Sequence, residues 1–300
     1  MLGRRLASAA VIIGLLIGLI FLDHYLGSDQ SLGRSGMVLA VMAILVAMLA
    51  ANEYVHLLKE HEPALNSNAH IIISGLAVMI CSAPVCWRDY PPDCSIGLFG
   101  WDIIALTFAV GMTLLLEINR FSDDGSGTRR LGQSLIIFVL LILLFGSFVA
   151  HRLLFFDNDI GMIALITLIT TVKLSDTAAY FAGKTFGRRK LSPLLSPGKT
   201  VEGLIGSFLG AILGTSIVVY GVAPLLFNKS LSIGIGWIVI YAIAINVAGV
   251  VGDLSESMLK RDAKIKDSSS WLPGLGGVLD IIDSLVLAAP ISYFLWVLTK

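Results

Sequence analysis

Nine apolar runs, at residues 6–22, 36–52, 69–87, 98–119, 131–154, 160–182, 203–227, 231–252 and 276–298, leave this chain few ways to fold. An apolar run of about 18 residues or more reads as a helix that crosses a bilayer, because only a helix satisfies its own backbone there. The first two runs are slightly short and are expected to extend a turn into the interface. Charge is scarce to match: 14% of residues are charged and 56% hydrophobic, with a mean hydropathy of +0.87. A soluble domain carries charge on about a quarter of its residues. The expectation is an all-α polytopic membrane protein of about nine transmembrane helices, with no soluble domain. Residues 1–155 form an N-terminal group of five spans. Residues 156–300 form a C-terminal catalytic group of four spans with two cytoplasmic loops.

Orientation follows from the cations between spans, since Lys and Arg accumulate in cytoplasmic loops. With the N-terminus cytoplasmic, fifteen fall inside, among them Arg4, Arg5, Lys59, Arg120, Arg129, Arg130, Lys184 and Lys264. Five fall outside: Arg34, Arg88, Arg152, Lys229 and Lys300. Lys173 lies within a span. The opening stretch MLGRRLASAAVIIGLLIGLIFLDHYLG has the basic start and apolar core of a signal peptide but no clear small-x-small cleavage pattern. It reads as a retained first span.

Cys81, Cys86 and Cys94 are odd in number and lack zinc-site spacing. They read as apolar filler near a membrane face, with a Cys86–Cys94 disulfide open because that loop is outside. His24, His56, His61, His70 and His151 stand at span ends, where interfacial placement accounts for them.

Charge inside a span is expensive and by default suggests function. Three stretches break the apolar rule. In TTVKLSDTAAYFAGKTFGRRKLSP, Lys173 and Asp176 occupy the cytoplasmic half of the sixth span, at i and i+3 on one face. The bland reading is an ion pair between helices. The GRRK run that follows reads as a topology signal, with anionic headgroups as a second use. In LSPGKTVEGLIGS, Gly-Lys-Thr precedes a helix, but the Walker pattern fails because its first Gly would fall at Pro193. Lys199 and Thr200 still stand at a helix N-terminus, a favourable place for an anion, although Thr200 taken alone reads as an N-cap. Glu202 enters the first turn, which suits a carboxylate.

The third stretch is the longest. NVAGVVGDLSESMLKRD closes the eighth span with Asp253, Glu256 and Ser257, and Asp253 and Ser257 share a face at i and i+4. Lys260, Arg261, Lys266 and Asp267 follow in the loop. PGLGGVLDIIDSL then opens the last span with Asp280 and Asp283 at i and i+3. Pro273, Gly274, Gly276 and Gly277 allow a sharp turn and close approach to a ligand. Carboxylates and hydroxyls without His or Cys suit a hard divalent cation such as Mg²⁺. Neighbouring Lys and Arg suit phosphate. Together they point to phosphoryl or nucleotidyl transfer at a lipid surface.

At these residues the sequence resembles the phosphatidate cytidylyltransferase (CDP-diacylglycerol synthase) family. Its pattern runs Ser-x-Leu-Lys-Arg, four residues, Lys-Asp, then Pro-Gly-His-Gly-Gly, then Leu-Asp-Arg-x-Asp. This chain matches at Ser257, Leu259, Lys260, Arg261, Lys266, Asp267, Pro273, Gly274, Gly276, Gly277, Leu279, Asp280 and Asp283. SDTAAYFAGKTFGRRKLSPLLSPGKTVEG and GDLSES resemble the family too. The motif match covers residues 170–290, and the first half is similar only as a series of apolar helices. Leu275 stands where the family has His, and Ile281 where it has Arg.

The resemblance implies that the phosphate of phosphatidate attacks the α-phosphorus of CTP on the cytoplasmic side, giving CDP-diacylglycerol and pyrophosphate. It implies Mg²⁺, alone or with a second cation, on Asp253 and Asp280 with Ser257. Asp176, Asp267 and Asp283 would complete or orient the polar site, and Lys199, Lys260, Arg261 and Lys266 would hold phosphates. Thr200, Glu202, Gly276 and Gly277 join the expected substrate-binding set. The expected partners are CTP, phosphatidate and membrane lipids, without nucleic acid, and family analogy adds a homodimer. The place is the cell (inner) membrane, with the site facing the cytoplasm.

A phosphomonoester's second pKa is about 6, so the attacking oxygen is already ionised near neutrality and Leu275 removes no required base. Ile281 removes a bidentate phosphate contact, which matters more. The expectation is an active enzyme with altered rate or substrate preference. Three alternatives stay open: a CTP-dependent lipid-alcohol kinase, a catalytically impaired homologue, and a transporter. The last is disfavoured because charge gathers at one face.

Overall fold

The computed structural model describes residues 2–28, 35–58, 65–87, 90–91, 93–121, 126–265, 269 and 276–299, with the side chains of the first helix described from residue 14. The helices are α1 Leu2–Ser28, α2 Met37–Leu58, α3 Ser67–Cys81, α4 Ala83–Cys86, α5 Gly97–Asn119, α6 Ser126–Arg152, α7 Asn158–Phe186, α8 Val201–Ile217, α9 Ala223–Phe227, α10 Ile235–Asp262 and α11 Val278–Val297. A short π-helical stretch, Val218–Val222, joins α8 to α9. Two strands, β1 Lys190–Ser192 and β2 Ser196–Thr200, pair as an antiparallel hairpin between α7 and α8. That hairpin replaces the plain loop expected there.

Among the described residues seven helical stretches are long and apolar enough to cross a membrane: Met37–Leu58, Gly97–Asn119, Ser126–Phe156, Asn158–Phe186, Val201–Phe227, Ile235–Asp262 and Val278–Val297. The other two expected spans correspond to shorter apolar helices, Gly14–Ser28 and Ser67–Cys81. Fold class and membrane character therefore agree with the sequence, while full-length spans number seven rather than nine among these residues.

The chain divides into two compact units. The first comprises Met1–Leu153 and Asp262–Ile281; the second comprises Leu154–Arg261 and Ile282–Lys300. Helix α11 thus begins in the first and continues in the second.

In the first unit a fully buried carboxylate ties three helices. Asp23 of α1 accepts from Arg152 Nε of α6 at 2.7 Å and from the N–H groups of Gly36 and Val38 at 2.9 and 3.0 Å. Arg152 and the start of α2 are thereby held against α1. A buried charge persists only when paired and hydrogen-bonded, and this one is both. His70 and His151 correct the interfacial reading, since both are buried. The rings hide because neighbouring groups satisfy them: His70 reaches the Asn66 carbonyl at 2.8 Å and Ser134 Oγ at 2.7 Å, and His151 reaches the Ser147 carbonyl at 2.7 Å. Cys81, Cys86 and Cys94 are free thiols, so the open disulfide does not form.

In the second unit α7 and α8 pack backbone to backbone. A Cβ at Gly210 would meet the Leu174 carbonyl oxygen at 2.5 Å, and one at Gly206 would meet Ala182 Cβ at 2.3 Å. Gly203 and Gly214 continue the stripe against Ala179 and Thr170. Small residues at such spacing let helices approach closely where lipid supplies no hydrophobic drive. The opposite face of α8 carries Ile205, Leu209 and Leu213, each more than half exposed, as a lipid-facing surface requires. Interhelical hydroxyl bonds fix the register: Thr171 with Thr215 at 2.9 Å, and Tyr241 of α10 with Ser292 of α11 at 2.7 Å.

Candidate active site

The close α7–α8 contact determines where the hairpin and the N-terminus of α8 sit. Thr200 is the N-cap of α8: its Oγ1 accepts from the Gly203 N–H at 3.0 Å and is buried. The close approach at Gly183, where a Cβ would meet Thr200 Oγ1 at 2.9 Å, brings the end of α7 against this cap. Glu202 accepts from the backbone N–H of Arg188 at 3.0 Å and of Arg189 at 3.2 Å. It so secures the chain that leads into β1. Thr200, read with Lys199 as an anion-site candidate, and Glu202, expected in the substrate-binding set, are therefore used, in this conformation, to shape the turn that presents Lys199.

Lys199, on β2, extends its ammonium to Asp253 of α10, with Nζ 2.6 Å from Oδ2. Both side chains remain partly exposed, at 25% and 30%. Ser257, one turn along α10, points its hydroxyl at Asp253 Oδ1 at 3.5 Å, a long contact. On α7, Lys173 and Asp176 form the i, i+3 pair that their spacing implied, at 3.8 Å. Asp253 and Lys199 are electrostatic neighbours of Asp176. Asp283 of α11 likewise has Asp253 and Lys173 as electrostatic neighbours. That approach is possible because Gly252 has no side chain: a Cβ there would meet the Asp283 carbonyl oxygen at 2.4 Å. The second unit thus gathers Lys173, Asp176, Lys199, Asp253 and Asp283 from α7, β2, α10 and α11.

The cationic end of α10 is also engaged. Lys260 pairs with Glu256 one turn back on the same helix. Arg261 donates from Nε to the Leu195 carbonyl at 3.2 Å, tethering the hairpin to α10. Lys266 and Asp267 lie outside the described residues, as do Pro273, Gly274 and Leu275.

In the first unit the start of α11 is capped by two carboxylates. Asp280, at the third helical position, reaches back so that its Oδ2 accepts from the Gly277 N–H at 2.6 Å. Gly276 takes a φ of +83°, and a Cβ there would meet Asp280 Oδ2 at 2.3 Å. A side chain at 276 is excluded by both conformation and space. Glu53, from the C-terminal part of α2, accepts from the N–H groups of Val278 and Leu279 at 2.9 and 3.0 Å. Sequence reasoning missed Glu53. Its signal was a lone carboxylate at the end of an otherwise apolar run. Asn246 was missed too: it is buried in α10 and accepts from Ser175 Oγ of α7 at 2.5 Å.

The donor chemistry fits a hard divalent cation, since it consists of carboxylate and hydroxyl oxygens. Among the described residues no three His, Cys, Asp or Glu side chains close a cage of their own. Mg²⁺ typically takes one or two carboxylates and completes its shell with water and substrate phosphates, so this pattern suits it. Two lysines beside three carboxylates leave a site that can exchange internal ion pairs for a polyphosphate.

Comparison with known proteins assigns the chain to a family. Residues 4–299 match the model of the cytidylyltransferase family. The chain is 39% identical over 191 residues to the phosphatidate cytidylyltransferase of Haemophilus influenzae, which covers 61% of this chain and 64% of that protein. It is 42% identical over 142 residues to the phosphatidate cytidylyltransferase of Chlamydia trachomatis, covering 47% and 45%. A longer match, 29% identical over 270 residues, joins it to the protein of the same name from Staphylococcus epidermidis and covers 89% and 92%. The aligned part takes in less than two thirds of the first two relatives' own lengths.

Proposed function

The chain belongs to the cytidylyltransferase family, and on that premise we propose that it transfers CMP from CTP to phosphatidate, releasing pyrophosphate and forming CDP-diacylglycerol. The observation that carries this reading is the gathering of Lys199, Asp253, Asp176, Lys173 and Asp283 in the second unit. In the reaction a phosphate oxygen of phosphatidate bonds to the α-phosphorus of CTP. The bond from that phosphorus to the β-phosphate bridging oxygen breaks, and pyrophosphate carries away its electron pair. The nucleophile is already ionised near neutrality, so positioning and charge neutralisation dominate.

Lys199 is the residue best placed for the nucleotide's phosphates, because its present partner is a carboxylate that a triphosphate can displace. Lys260 and Arg261 add phosphate contacts by exchanging their present partners. Asp253 with Ser257 in the second unit, and Asp280 in the first, are each proposed as metal ligands, with Asp176 and Asp283 shaping the field around Asp253. Mg²⁺, when bound, would neutralise charge on the reacting phosphates. The site faces the cytoplasmic leaflet of the cell membrane, a placement supported by the excess of Lys and Arg on that side.

The test is product analysis with the purified full chain in vesicles containing both phosphatidate and a long-chain lipid alcohol, and CTP labelled at the α- or γ-phosphate. The reading expects the α-label in a liponucleotide and the γ-label in pyrophosphate. Release of CDP with transfer of the γ-label to lipid would replace it with the kinase reading.

A further inference from the structure

We propose that Glu53 is a positioning residue for Asp280, an inference that rests on the metal-site reading above. Three consecutive N–H groups at the start of α11, those of Gly277, Val278 and Leu279, have carboxylate acceptors. Asp280 takes the first and Glu53 the other two. Glu53 is buried and stands 225 residues before Val278. It therefore holds the start of α11 against α2 by a bond that local sequence cannot supply.

The division of labour matters for Asp280. A helix start exposes unsatisfied N–H groups, and the nearest carboxylate tends to cap them. With Glu53 on Val278 and Leu279, Asp280 caps Gly277 through Oδ2 and is spared those two donors. Removing Glu53 leaves two buried donors without that acceptor, and Asp280 is the neighbouring group able to turn towards them. A carboxylate drawn into capping is a poorer ligand for a cation. Supporting groups of this kind, which fix a ligand's orientation, typically cost about 10–100-fold in metal affinity or activity when lost.

The experiment uses the full chain in nanodiscs, as wild type, E53Q, E53A and D280N. Two quantities are read: Mn²⁺ binding by electron paramagnetic resonance without substrates, and the Mg²⁺ concentration giving half-maximal pyrophosphate release. Gln keeps one carbonyl acceptor, so the expected order of cation affinity is wild type, then E53Q, then E53A. E53A should be weaker than wild type by about tenfold or more. If E53A does not fold, E53Q alone decides, with a shift of several fold expected. Wild-type cation affinity in E53Q, with only a lower melting temperature, would make Glu53 purely structural and overturn the proposal. Should the wild type release no pyrophosphate, the functional reading fails, while Mn²⁺ binding still reports on Glu53.

Discussion

The Lys199 ammonium lies 2.6 Å from the Asp253 carboxylate, joining the residue before the N-cap of α8 to the last turns of α10. The side chains are partly exposed, at 25% and 30%, although the ammonium nitrogen itself is shielded, and the pair contributes on the order of 1 kcal/mol to stability. On the proposed function its value is in ligand exchange. Lys199→Ala should leave the melting temperature within a degree or two. It should lower pyrophosphate release by about 10²–10³-fold, the cost typical of losing one preorganised charge-stabilising donor. Lys199→Arg keeps the charge without the point geometry and should recover only part of the rate.

Thr200 separates two roles. As an N-cap, its loss in Thr200→Ala should cost about 1 kcal/mol, and Thr200→Ser should restore it. Thermal denaturation in detergent checks this. A raised KM for CTP at unchanged melting temperature would instead assign the hydroxyl to substrate.

The glycine stripe of α8 tests the packing that places Lys199. Gly210→Val puts methyl groups where the Leu174 carbonyl already stands and should destabilise by about 1–3 kcal/mol or more, as overpacking does. Leu209→Ala, on the exposed face, should change stability by less than about 0.5 kcal/mol.

These contrasts show what was legible beforehand. The Lys173–Asp176 pair could be read from three-residue spacing, and the N-cap at Thr200 from a hydroxyl before an apolar run. The glycines at 203, 206, 210 and 214 carried a readable small-residue signal that went unused. The Lys199–Asp253 contact and the bonds from Glu53 to Val278 and Leu279 were not legible, because no periodicity links residues so far apart. The buried histidines misled for a related reason: whether a polar ring faces the interface or a neighbouring helix depends on partners such as Ser134, which only packing supplies.

Asp23 and Arg152 predict a pure stability effect. Both are almost wholly buried, at 0% and 1% side-chain exposure. Arg152→Ala strands a charge and should cost about 3–5 kcal/mol. Chemical denaturation measures this. The folded fraction that survives should keep the wild-type KM for CTP.

The most direct measurement of the central claim is phosphatidate-dependent and Mg²⁺-dependent pyrophosphate release from CTP, comparing wild type with Asp253→Asn at matched folded protein. Asn is nearly isosteric and leaves packing intact while removing the charge that faces Lys199. The account predicts turnover in the wild type and a loss of at least about 10²-fold in the variant. Equal turnover in the two proteins would contradict it.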